Sequence, residues 1–419
     1  MKTNKIQRTI IFLVTFIYIF SPKFVFLPID LSYIIMAISF IYLFIDKNVQ
    51  FIFSKYVNTI FYLIAFALIW LVLEIFKNNS YTTNSYPVLL IRIVLEIFIP
   101  SCLLTNFYRK MDIDYPSFIK KMICIQIIFC VLMINMDFKE YMFSNVLEID
   151  EYTSKFNFIR NFGIGRNYLS AFPACCSLLG FILFLNFYYS KKISSLIFFI
   201  LNNIILILNS RTSLVIELFC IFSSVFVFKY KVFLNNTVYI GTKKKMNKKK
   251  KIQLFFILLL IFFIVINFII KNKEFFQKIG EWLLSALTSI KNLFYKEDLK
   301  YDTFKDLNHW YLPNELLSMF FGYANPAPPK MASDIGYVRY TLYGGLLFLI
   351  FINSFFCLLY FEVVLRCRNY GIQVYLTICY LSLLILQYKG DILGCNEVTR
   401  LVILSTIYID NMRFGEKKC

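Results

Sequence analysis

Long apolar segments alternate with short polar segments along almost the whole chain. Most of the apolar segments have about 17 residues or more, which is the length that an α-helix needs to cross the hydrocarbon core of a bilayer. Because lipid offers the backbone no hydrogen-bond partner, these segments must be helical. The pattern therefore predicts an all-α, polytopic integral membrane protein with about twelve transmembrane helices. The predicted spans are 10–27, 31–45, 57–76, 88–105, 118–136, 168–189, 194–209, 212–228, 252–270, 335–361, 372–388 and 393–409.

The polar segments between the predicted helices differ greatly in length. Most are short, but 137–167 and 271–334 are long, and the second of these separates the ninth predicted helix from the tenth. We predict that residues 1–419 form a single membrane domain and that 271–334 is one large external loop. The two long segments are the places where a site outside the membrane has room to form.

Basic residues are concentrated in every second loop. Because Lys and Arg in short loops stay on the cytoplasmic side of a membrane, we predict that both termini are cytoplasmic and that the protein lies in the inner or plasma membrane. The net charge of +19 then reflects topology, and no nucleic-acid partner is predicted. Membrane lipids are predicted partners, since 59% of the residues are hydrophobic and 16% are charged. The predicted cytoplasmic segments carry Lys2, Lys5, Arg8, Lys47, Lys55, Arg109, Lys110, Lys120, Lys121, Lys191, Lys192, Lys229, Lys231, the basic run 243–251, Arg366, Arg368, Arg413, Lys417 and Lys418.

Neither the cysteines nor the glycines form a cofactor motif. Most of the eleven cysteines lie in apolar segments, where a thiol behaves as a small hydrophobic group. No cysteine spacing fits a zinc or redox site, and no glycine-rich phosphate loop or nucleophile elbow occurs. The acidic pair Asp112 and Asp114 falls in a predicted cytoplasmic loop, and we interpret it as loop sequence. We therefore predict no metal and no organic cofactor.

Four arginines fall on the predicted external side, where topology does not require them. Arg160 and Arg166 precede the sixth predicted helix, Arg211 lies in the tight turn between the seventh and eighth, and Arg339 begins the tenth. An arginine at this depth commonly extends to lipid headgroups, and for Arg160 that interpretation is favoured. Arg211 and Arg339 stand beside small or polar residues, which favours a functional role. Since a guanidinium is always charged and binds phosphate oxygens two at a time, these arginines could bind a lipid diphosphate.

Five short motifs, in this order, resemble the Wzy-type polymerases of O-antigen and capsular polysaccharide, a group related to the O-antigen ligases. The motifs are 163–167 (GIGRN), 209–214 (NSRTSL), 321–323 (FGY), 333–339 (SDIGYVR) and 343–345 (YGG). The resemblance implies undecaprenyl-diphosphate-linked oligosaccharides as substrates, delivered by a flippase, with a chain-length regulator as a further partner. The activity it implies is that of a membrane glycosyltransferase, which passes the growing chain from its lipid diphosphate onto a new lipid-linked repeat unit.

The resemblance and the chemistry of the arginines together suggest roles for individual residues. Arg211 and Arg339 are the predicted catalytic arginines, since they would stabilise the charge of the departing diphosphate. Two residues are candidates for the base that deprotonates the attacking hydroxyl, namely His309 in the large loop and Asp334 beside Arg339. The ligase relatives use a histidine in the corresponding loop, whereas polymerases commonly lack one, so both candidates stay open. The predicted substrate-binding residues are Arg160, Arg166, Asn167 and Tyr337.

Charged residues inside the predicted spans need partners. Arg92 and Glu96 are four residues apart, a spacing that places two side chains on one face of a helix, so they are predicted to pair. The same argument predicts a pair between Glu397 and Arg400, which are three residues apart. The spacing of Glu217 from Arg211 does not place the two on one helix face, so a partner from another helix is predicted.

Two other functions fit the same composition. A flippase or other glycolipid transporter would also have about twelve helices and interior charges, but transporters are commonly built from two repeated halves. The large loop has no counterpart in the first six predicted helices, which argues against such a repeat. An O-antigen ligase would share the scaffold and the chemistry but use lipid A core as acceptor, and His309 alone favours it. Polymerisation of repeat units explains the large loop, the external arginines and the order of the motifs together.

Overall fold

The regular secondary structure of the described residues is helical, apart from one isolated antiparallel bridge between Phe24 and Leu147. The predicted all-α class is therefore confirmed. The computed structural model describes residues 5–76, 86–149, 160, 163–166, 170–234, 277, 312–313, 315–324, 335–367, 370–388 and 390–412.

The helices follow the predicted apolar segments. A helix lies in eleven of the twelve predicted spans, and the remaining span, 252–270, is outside the described residues. In chain order the helices are α1 (Lys5–Phe20), α2 (Leu31–Ile45), α3 (Lys47–Ser54), α4 (Val57–Phe76), α5 (Tyr86–Met111), α6 (Tyr115–Leu132), α7 (Met136–Asn145), α8 (Ala171–Ser190), α9 (Ile193–Asn209), α10 (Arg211–Leu234), α11 (Leu316–Phe321), α12 (Gly336–Arg366), α13 (Tyr370–Leu386) and α14 (Glu397–Met412).

Five of the described helices are long and apolar enough to cross a membrane: α4, α5, α6, α8 and α12. A sixth span would be formed by α2 and α3 together, which are bent by 99° where they meet. In α4 only 33% of the apolar window is buried, and large side chains such as Phe61, Ile69 and Phe76 point outward. Apolar surface of this extent is typical of contact with lipid, so the protein is membrane-embedded. The total of twelve spans and the external loop 271–334 stay predictions.

The centre of the bundle is formed by α5, α8 and α14. Of the apolar windows of α5 and α8, 72% and 78% respectively are buried inside the protein. In α14 the run from Leu401 to Leu404 is at most 1% exposed. Apolar composition alone does not decide which helices are enclosed, because α4 is apolar all round and is exposed, whereas the enclosed α14 carries Glu397, Arg400 and Asp410.

A wide turn interrupts α5. Its residues Ile93–Phe98 are π-helical, and the backbone N–H of Ile99 donates to the carbonyl of Val94, five residues earlier. Pro100 explains the turn, because a proline has no N–H to donate and its ring collides with the carbonyl four residues before it. The widened turn carries Glu96, and turns of this kind are frequent at functional sites.

A break also divides α12. Gly345 has φ +71° and ψ −172°, so the helix ends there and starts again. The break leaves the carbonyls of Leu342 and Tyr343 without helical partners, and they accept hydrogen bonds from the backbone N–H groups of Tyr323 and Ala324, each at 2.7 Å. Backbone groups buried in a membrane protein need such partners. The segment 322–324, after α11, therefore stabilises the break.

The loops collect at two ends of the bundle. At one end, side chains join loops that are distant in sequence, because Lys110 Nζ lies 2.6 Å from Asp46 Oδ2 and Lys120 Nζ lies 2.9 Å from Ser194 Oγ. We call this the basic end, and it is the end that is predicted to face the cytoplasm. The opposite end holds the start of α5, the start of α12 and the segment 387–396, and we call it the site end.

Candidate functional site

The segment 387–396, of which residue 389 is not described, connects α13 to α14 at the site end. It is non-helical and mostly buried. Gln387 Oε1 accepts hydrogen bonds from two backbone N–H groups of the segment, at 2.8 and 2.9 Å. Asn396 Oδ1 accepts two more from the first turn of α14, at 3.1 and 3.2 Å. Because buried backbone groups without partners are costly, these two amide side chains hold the segment in one conformation.

Asp391 contributes the carboxyl group of this segment. The residue is half-buried, and the Tyr86 hydroxyl at the start of α5 donates to Oδ2 at 3.1 Å. Oδ1 is buried and accepts no hydrogen bond from any described residue. Arg339 and Tyr340, from the first turns of α12, interact electrostatically with the carboxyl, although the Tyr340 hydroxyl makes no hydrogen bond within the described part.

Burial and the neighbouring groups act in opposite directions on the pKa of the Asp391 carboxyl. Burial raises the pKa of its carboxyl above the usual value of an aspartate, while Arg339, Tyr340 and Tyr86 act against that rise. Desolvation disfavours a charged carboxylate, whereas a nearby guanidinium favours it. A titratable group balanced between two such opposing influences is a candidate for a functional site.

The start of α12 is fixed directly against this segment. The backbone N–H of Gly336 donates to the Gln387 carbonyl at 3.0 Å. A Cβ atom at Gly336 would collide with the Gly390 carbonyl oxygen, so only glycine allows this approach. Arg339 lies one turn further along the same helix and is half-buried. Main-chain packing therefore fixes the start of α12, and Arg339 with it, against the segment that contains Asp391.

Aromatic rings form the wall next to Asp391. The Tyr86 ring packs against Tyr340 and Tyr343, with centroids 4.9 and 4.5 Å apart. The Tyr343 hydroxyl donates to Glu74 Oε1 at the end of α4, and Phe348 packs on the Tyr343 ring at 5.4 Å. Packed rings of this kind have little freedom to move, so the first half of α12 is held firmly against α4 and α5.

A second cluster of charges lies deeper in the bundle and centres on Glu96. Arg92 Nε is 2.5 Å from Glu96 Oε1, and Arg400 of α14 donates to Oε2 at 3.1 Å. Cys395, from the same segment as Asp391, also donates to Oε2, at 3.3 Å. Arg400 is 1% exposed and gives a further hydrogen bond to the Tyr18 carbonyl at 2.9 Å. The segment 387–396 therefore contacts both the start of α12 and this buried network.

The predicted charge pairs have different outcomes. The pair between Arg92 and Glu96 is confirmed. The predicted pair between Glu397 and Arg400 is wrong, because Arg400 points across to Glu96 and Glu397 Oε1 accepts the backbone N–H of Arg166 at 2.9 Å.

Glu217 takes its partner from another helix, as predicted. Asn202 Nδ2 of α9 lies 3.4 Å from its Oε1. A Cβ atom at Gly180 of α8 would overlap the same carboxylate oxygen, so the glycine makes room for the pair.

Hydrogen bonds, packing and an ion pair fix the motif 163–166 at the site end. Gln126 of α6 donates to the Ile164 carbonyl at 2.6 Å and accepts from the Ile164 backbone N–H at 2.7 Å. A Cβ atom at Gly165 would press on the Phe172 ring, which explains the glycine. The Arg166 guanidinium lies 2.8 Å from Asp30 Oδ2. The predicted substrate-binding residue Arg166 is thus already in an ion pair that fixes the motif.

The turn between α9 and α10 places Arg211 at the same end of the bundle. The Ser210 hydroxyl oxygen accepts from the backbone N–H of Ser213 at 3.3 Å, which caps the first turn of α10. Ser177 of α8 donates to the Ser213 carbonyl at 2.7 Å. Arg211 is the first residue of α10, and its side chain lies outside the described part.

The other predicted site residues are placed only in part. Arg160 is half-buried. The Tyr337 hydroxyl donates to the Leu384 carbonyl at 2.5 Å, which ties α12 to α13, and its contact with substrate stays a prediction. The remaining predicted residues, His309, Asp334 and Asn167, lie outside the described residues.

Sequence analysis missed Asp391, Tyr86 and the role of Arg400. In the sequence Asp391 is an acidic residue in the short polar stretch between the predicted spans 372–388 and 393–409, and no role is predicted for it. An acidic residue next to glycine at a predicted external end was a usable signal. Tyr86 gave none, because a tyrosine at a helix end commonly marks the membrane interface.

The arrangement combines a half-buried guanidinium, a carboxylate with one buried oxygen to which no described residue donates, and a rigid aromatic wall. A guanidinium stabilises an anion, and a carboxylate accepts a proton. Among the described residues no group of three or more His, Cys, Asp or Glu side chains could hold a metal ion. Comparison of the chain with protein-family models, with curated proteins and with solved structures gave no match.

Proposed function

We propose that the protein is a membrane glycosyltransferase that polymerises polyprenyl-diphosphate-linked oligosaccharide repeat units into a surface polysaccharide, such as O-antigen or capsule. The observation that carries the proposal is that the half-buried Arg339 lies in the first turns of α12 at the site end of a membrane-embedded helical protein, packed against the segment that contains Asp391. The predicted topology assigns this end to the outer face of the membrane, where exported lipid-linked sugars are available. The motifs that resemble Wzy-type polymerases lie at the same end.

The proposed reaction needs a site for a diphosphate and little else. The anomeric carbon of the donor sugar is bonded to a diphosphate oxygen, and this bond breaks as an acceptor hydroxyl attacks. Negative charge then builds up on the departing diphosphate. Arg339 stabilises that charge more in the transition state than in the ground state, which accelerates transfer. Arg211 has the same role in this proposal, from the start of α10 at the same end of the bundle.

The buried network around Glu96 supports the site mechanically. It fixes Cys395 and the start of α14 through hydrogen bonds to a carboxylate that also holds two arginines. Catalytic groups must be held within about 0.5 Å of their productive positions by the residues behind them. Arg166 and Asp30 do the same for the motif 163–166, while Arg160, Asn167 and Tyr337 remain the proposed contacts to the sugar.

The proposal includes the cellular setting. The protein resides in the inner or plasma membrane with both termini in the cytoplasm, and no metal or organic cofactor takes part. A flippase supplies undecaprenyl-diphosphate-linked repeat units from the inner leaflet. A chain-length regulator and the surrounding lipids are the further partners, and no nucleic acid is involved.

One structural feature favours transport as a second candidate function. Transporters often place their substrate site at a discontinuous helix, and α12 is interrupted at Gly345. The two functions differ in where unpolymerised material accumulates. Cells lacking a polymerase display single lipid-linked repeat units on the outer leaflet, whereas cells lacking a flippase retain them on the inner leaflet. Ligation to lipid A core, the third function, would leave free lipid-linked polymer when the protein is absent.

Arg339 gives the direct test of the polymerase proposal. Charge-assisted hydrogen bonds contribute about 1.5 to 3 kcal/mol each, so losing one transition-state contact in Arg339→Ala should slow polymerisation about tenfold to a hundredfold. Arg339→Lys keeps the charge without the two-point contact and should fall between Ala and the unchanged protein. Polymer length is measured on gels of surface polysaccharide, with protein abundance measured in the same cells.

Lys23→Ala is the matched control. Lys23 is also a cation at the site end, but its ion pair with Glu148 is exposed, with side-chain exposures of 39% and 49%. The Lys23→Ala variant should leave polymer length unchanged. Normal polymer in a well-expressed Arg339→Ala variant would remove Arg339 from the site. Unchanged polymer after deletion of the whole gene would refute the proposed function.

A further inference from the structure

The short helix α11 has an exposed apolar face. Leu316, Leu317 and Phe320 are 76%, 71% and 42% exposed, and their spacing places them on one side of the helix. Exposed apolar surface of this kind marks a place where another molecule binds. We propose that this face lies among the acyl chains of the bilayer leaflet at the site end, and that α11 thereby anchors the segment 322–324 against the break in α12.

The break in α12 shows the depth at which α11 lies. The Tyr343 hydroxyl donates to Glu74, and a Cβ atom at Gly344 would collide with the Trp70 side chain. Both partners belong to α4, which is long and apolar enough to cross the membrane and ends at Phe76, where the sequence becomes polar. At about 1.5 Å per residue, these two partners lie about 3 to 9 Å from the end of α4. The break is therefore close to the boundary between acyl chains and headgroups.

Backbone contacts place α11 at the same depth. The N–H groups of Tyr323 and Ala324, just after the helix, donate to the two open carbonyls of the break, each at 2.7 Å. A Cβ atom at Gly345 would collide with the carbonyl oxygen of Phe320, so the last turn of α11 packs directly on the break. A helix that lies in the plane of a membrane buries its apolar face about 5 to 10 Å into this boundary. The exposed face of α11 is thus at the depth where acyl chains surround a protein.

The other side of α11 packs on the protein. Ser318 and Met319 are half-buried, unlike the residues before and after them. Tyr323 packs against buried apolar residues of the first turns of α12. The helix is therefore divided between a side that contacts α12 and a side that faces outward, as expected of an element between protein and lipid.

Lipid is the occupant that the surroundings favour. Near the same depth α4 exposes Ile75 and Phe76, by 50% and 80%, on a helix whose outward side contacts the membrane. Acyl chains therefore already reach this level of the protein. A second copy of the chain would have to cover far more than three side chains, since stable protein interfaces bury about 1,200 to 2,000 Å².

Photo-crosslinking from α11 identifies the molecule that touches this face. Benzoylphenylalanine, which inserts into a nearby C–H bond on illumination, replaces Leu317 in the full chain, and the purified protein is placed in nanodiscs of phosphatidylglycerol and phosphatidylethanolamine. After illumination the intact protein should gain the mass of one lipid. Replacement of Leu316 gives a second exposed position in case the first variant does not fold.

Two control positions calibrate the crosslinking. Phe61 is 71% exposed on α4 and should give the same lipid adduct. Met319, half-buried on the opposite side of α11, should crosslink within the chain and gain no mass. A doubled mass from Leu316 or Leu317 would show that a second copy covers α11 and would overturn lipid contact. So would the absence of an adduct at both positions when Phe61 gives one. Because no substrate is needed, these results do not depend on whether the protein polymerises sugars.

Leu317→Asp tests the anchoring role. A carboxylate is unfavourable among acyl chains, so α11 should leave the bilayer and release the segment 322–324. Hydrogen exchange at the amides of Tyr323 and Ala324 should then become about tenfold faster, a factor that corresponds to about 1.4 kcal/mol, while exchange in α13 stays the same. Leu317→Met keeps an apolar side chain and should exchange like the unchanged protein. Unchanged exchange at these two amides in Leu317→Asp would overturn the anchoring role.

Discussion

Glu96 is the carboxylate that neutralises two arginines inside the bundle. Its side chain is 1% exposed, and that of Arg400 is 2% exposed. Removing one member of a buried ion pair leaves the other charge without compensation, at a cost of about 3 to 5 kcal/mol. We therefore expect Glu96→Gln to be strongly destabilising and to lower the midpoint of thermal unfolding of the purified protein.

The control for this change is Glu148→Gln. Glu148 also pairs with a single cation, Lys23, but both side chains are exposed. Exposed pairs contribute about 0 to 1 kcal/mol, so the unfolding midpoint should hardly move. Equal midpoints for the two variants would show that the network around Glu96 does not stabilise the fold.

Spacing along the chain predicted one partner of Glu96 and could not predict the other. Arg92 is on the same helix, so the rule for residues four apart applied. Arg400 is on α14, and its partner depends on how α14 packs against the π-helical turn of α5. The same limit hid Asp391, because its neighbours Tyr86 and Arg339 come from two other helices.

At the scale of elements, the break in α12 depends on two glycines. Gly345 and Gly322 both have positive φ, 71° and 64°, and a Cβ atom at either would collide with backbone atoms of the other segment. Strained backbone of this kind costs about 1 to 3 kcal/mol per residue, and the collision adds to it. Gly345→Ala and Gly322→Ala should each lower the unfolding midpoint and reduce polymer length.

Gly394→Ala is the matched control for these glycines. A Cβ atom there would first meet Leu89 at 3.4 Å, and the residue has no positive φ. Its midpoint should stay close to that of the unchanged protein. A midpoint for Gly345→Ala as high as that of Gly394→Ala would mean that α12 can continue through the break at no cost.

The apolar pattern predicted where helices lie, because the lengths and polarity of the segments are properties of the sequence itself. It did not predict the interruptions. The apolar pattern predicted no break within the span 335–361, because the N–H groups that stabilise the break belong to a different segment, 322–324. The predicted span 31–45 continues into α3 after a bend of 99°.

At the scale of the whole molecule, the basic residues and the proposed site lie at opposite ends. This separation predicts opposite locations for reporters fused in the corresponding loops. A fusion after Lys191, at the basic end, should be cytoplasmic, and fusions after Glu148 or near His309 should be external. Matched fusions to a phosphatase and to a fluorescent protein measure these locations. The reverse result would place the site away from exported substrate and refute the functional proposal.

The charge distribution predicted that alternate loops lie at opposite ends, because the basic residues of each short loop decide on which side of the membrane that loop stays. It carried no information on how the helices pack around one another. The central positions of α5, α8 and α14 follow from side-chain packing between helices, which the apolar pattern of each helix does not specify.

The interruption of α12 has a consequence for biogenesis. In lipid an interrupted helix exposes carbonyls that lack hydrogen-bond partners, and those of Leu342 and Tyr343 obtain theirs from the segment 322–324, which is synthesised before α12. We therefore expect α12 to insert as a continuous helix and to open at Gly345 when the segment 322–324 docks. Arg339 lies on the half of α12 before the break, so its final position depends on that docking step.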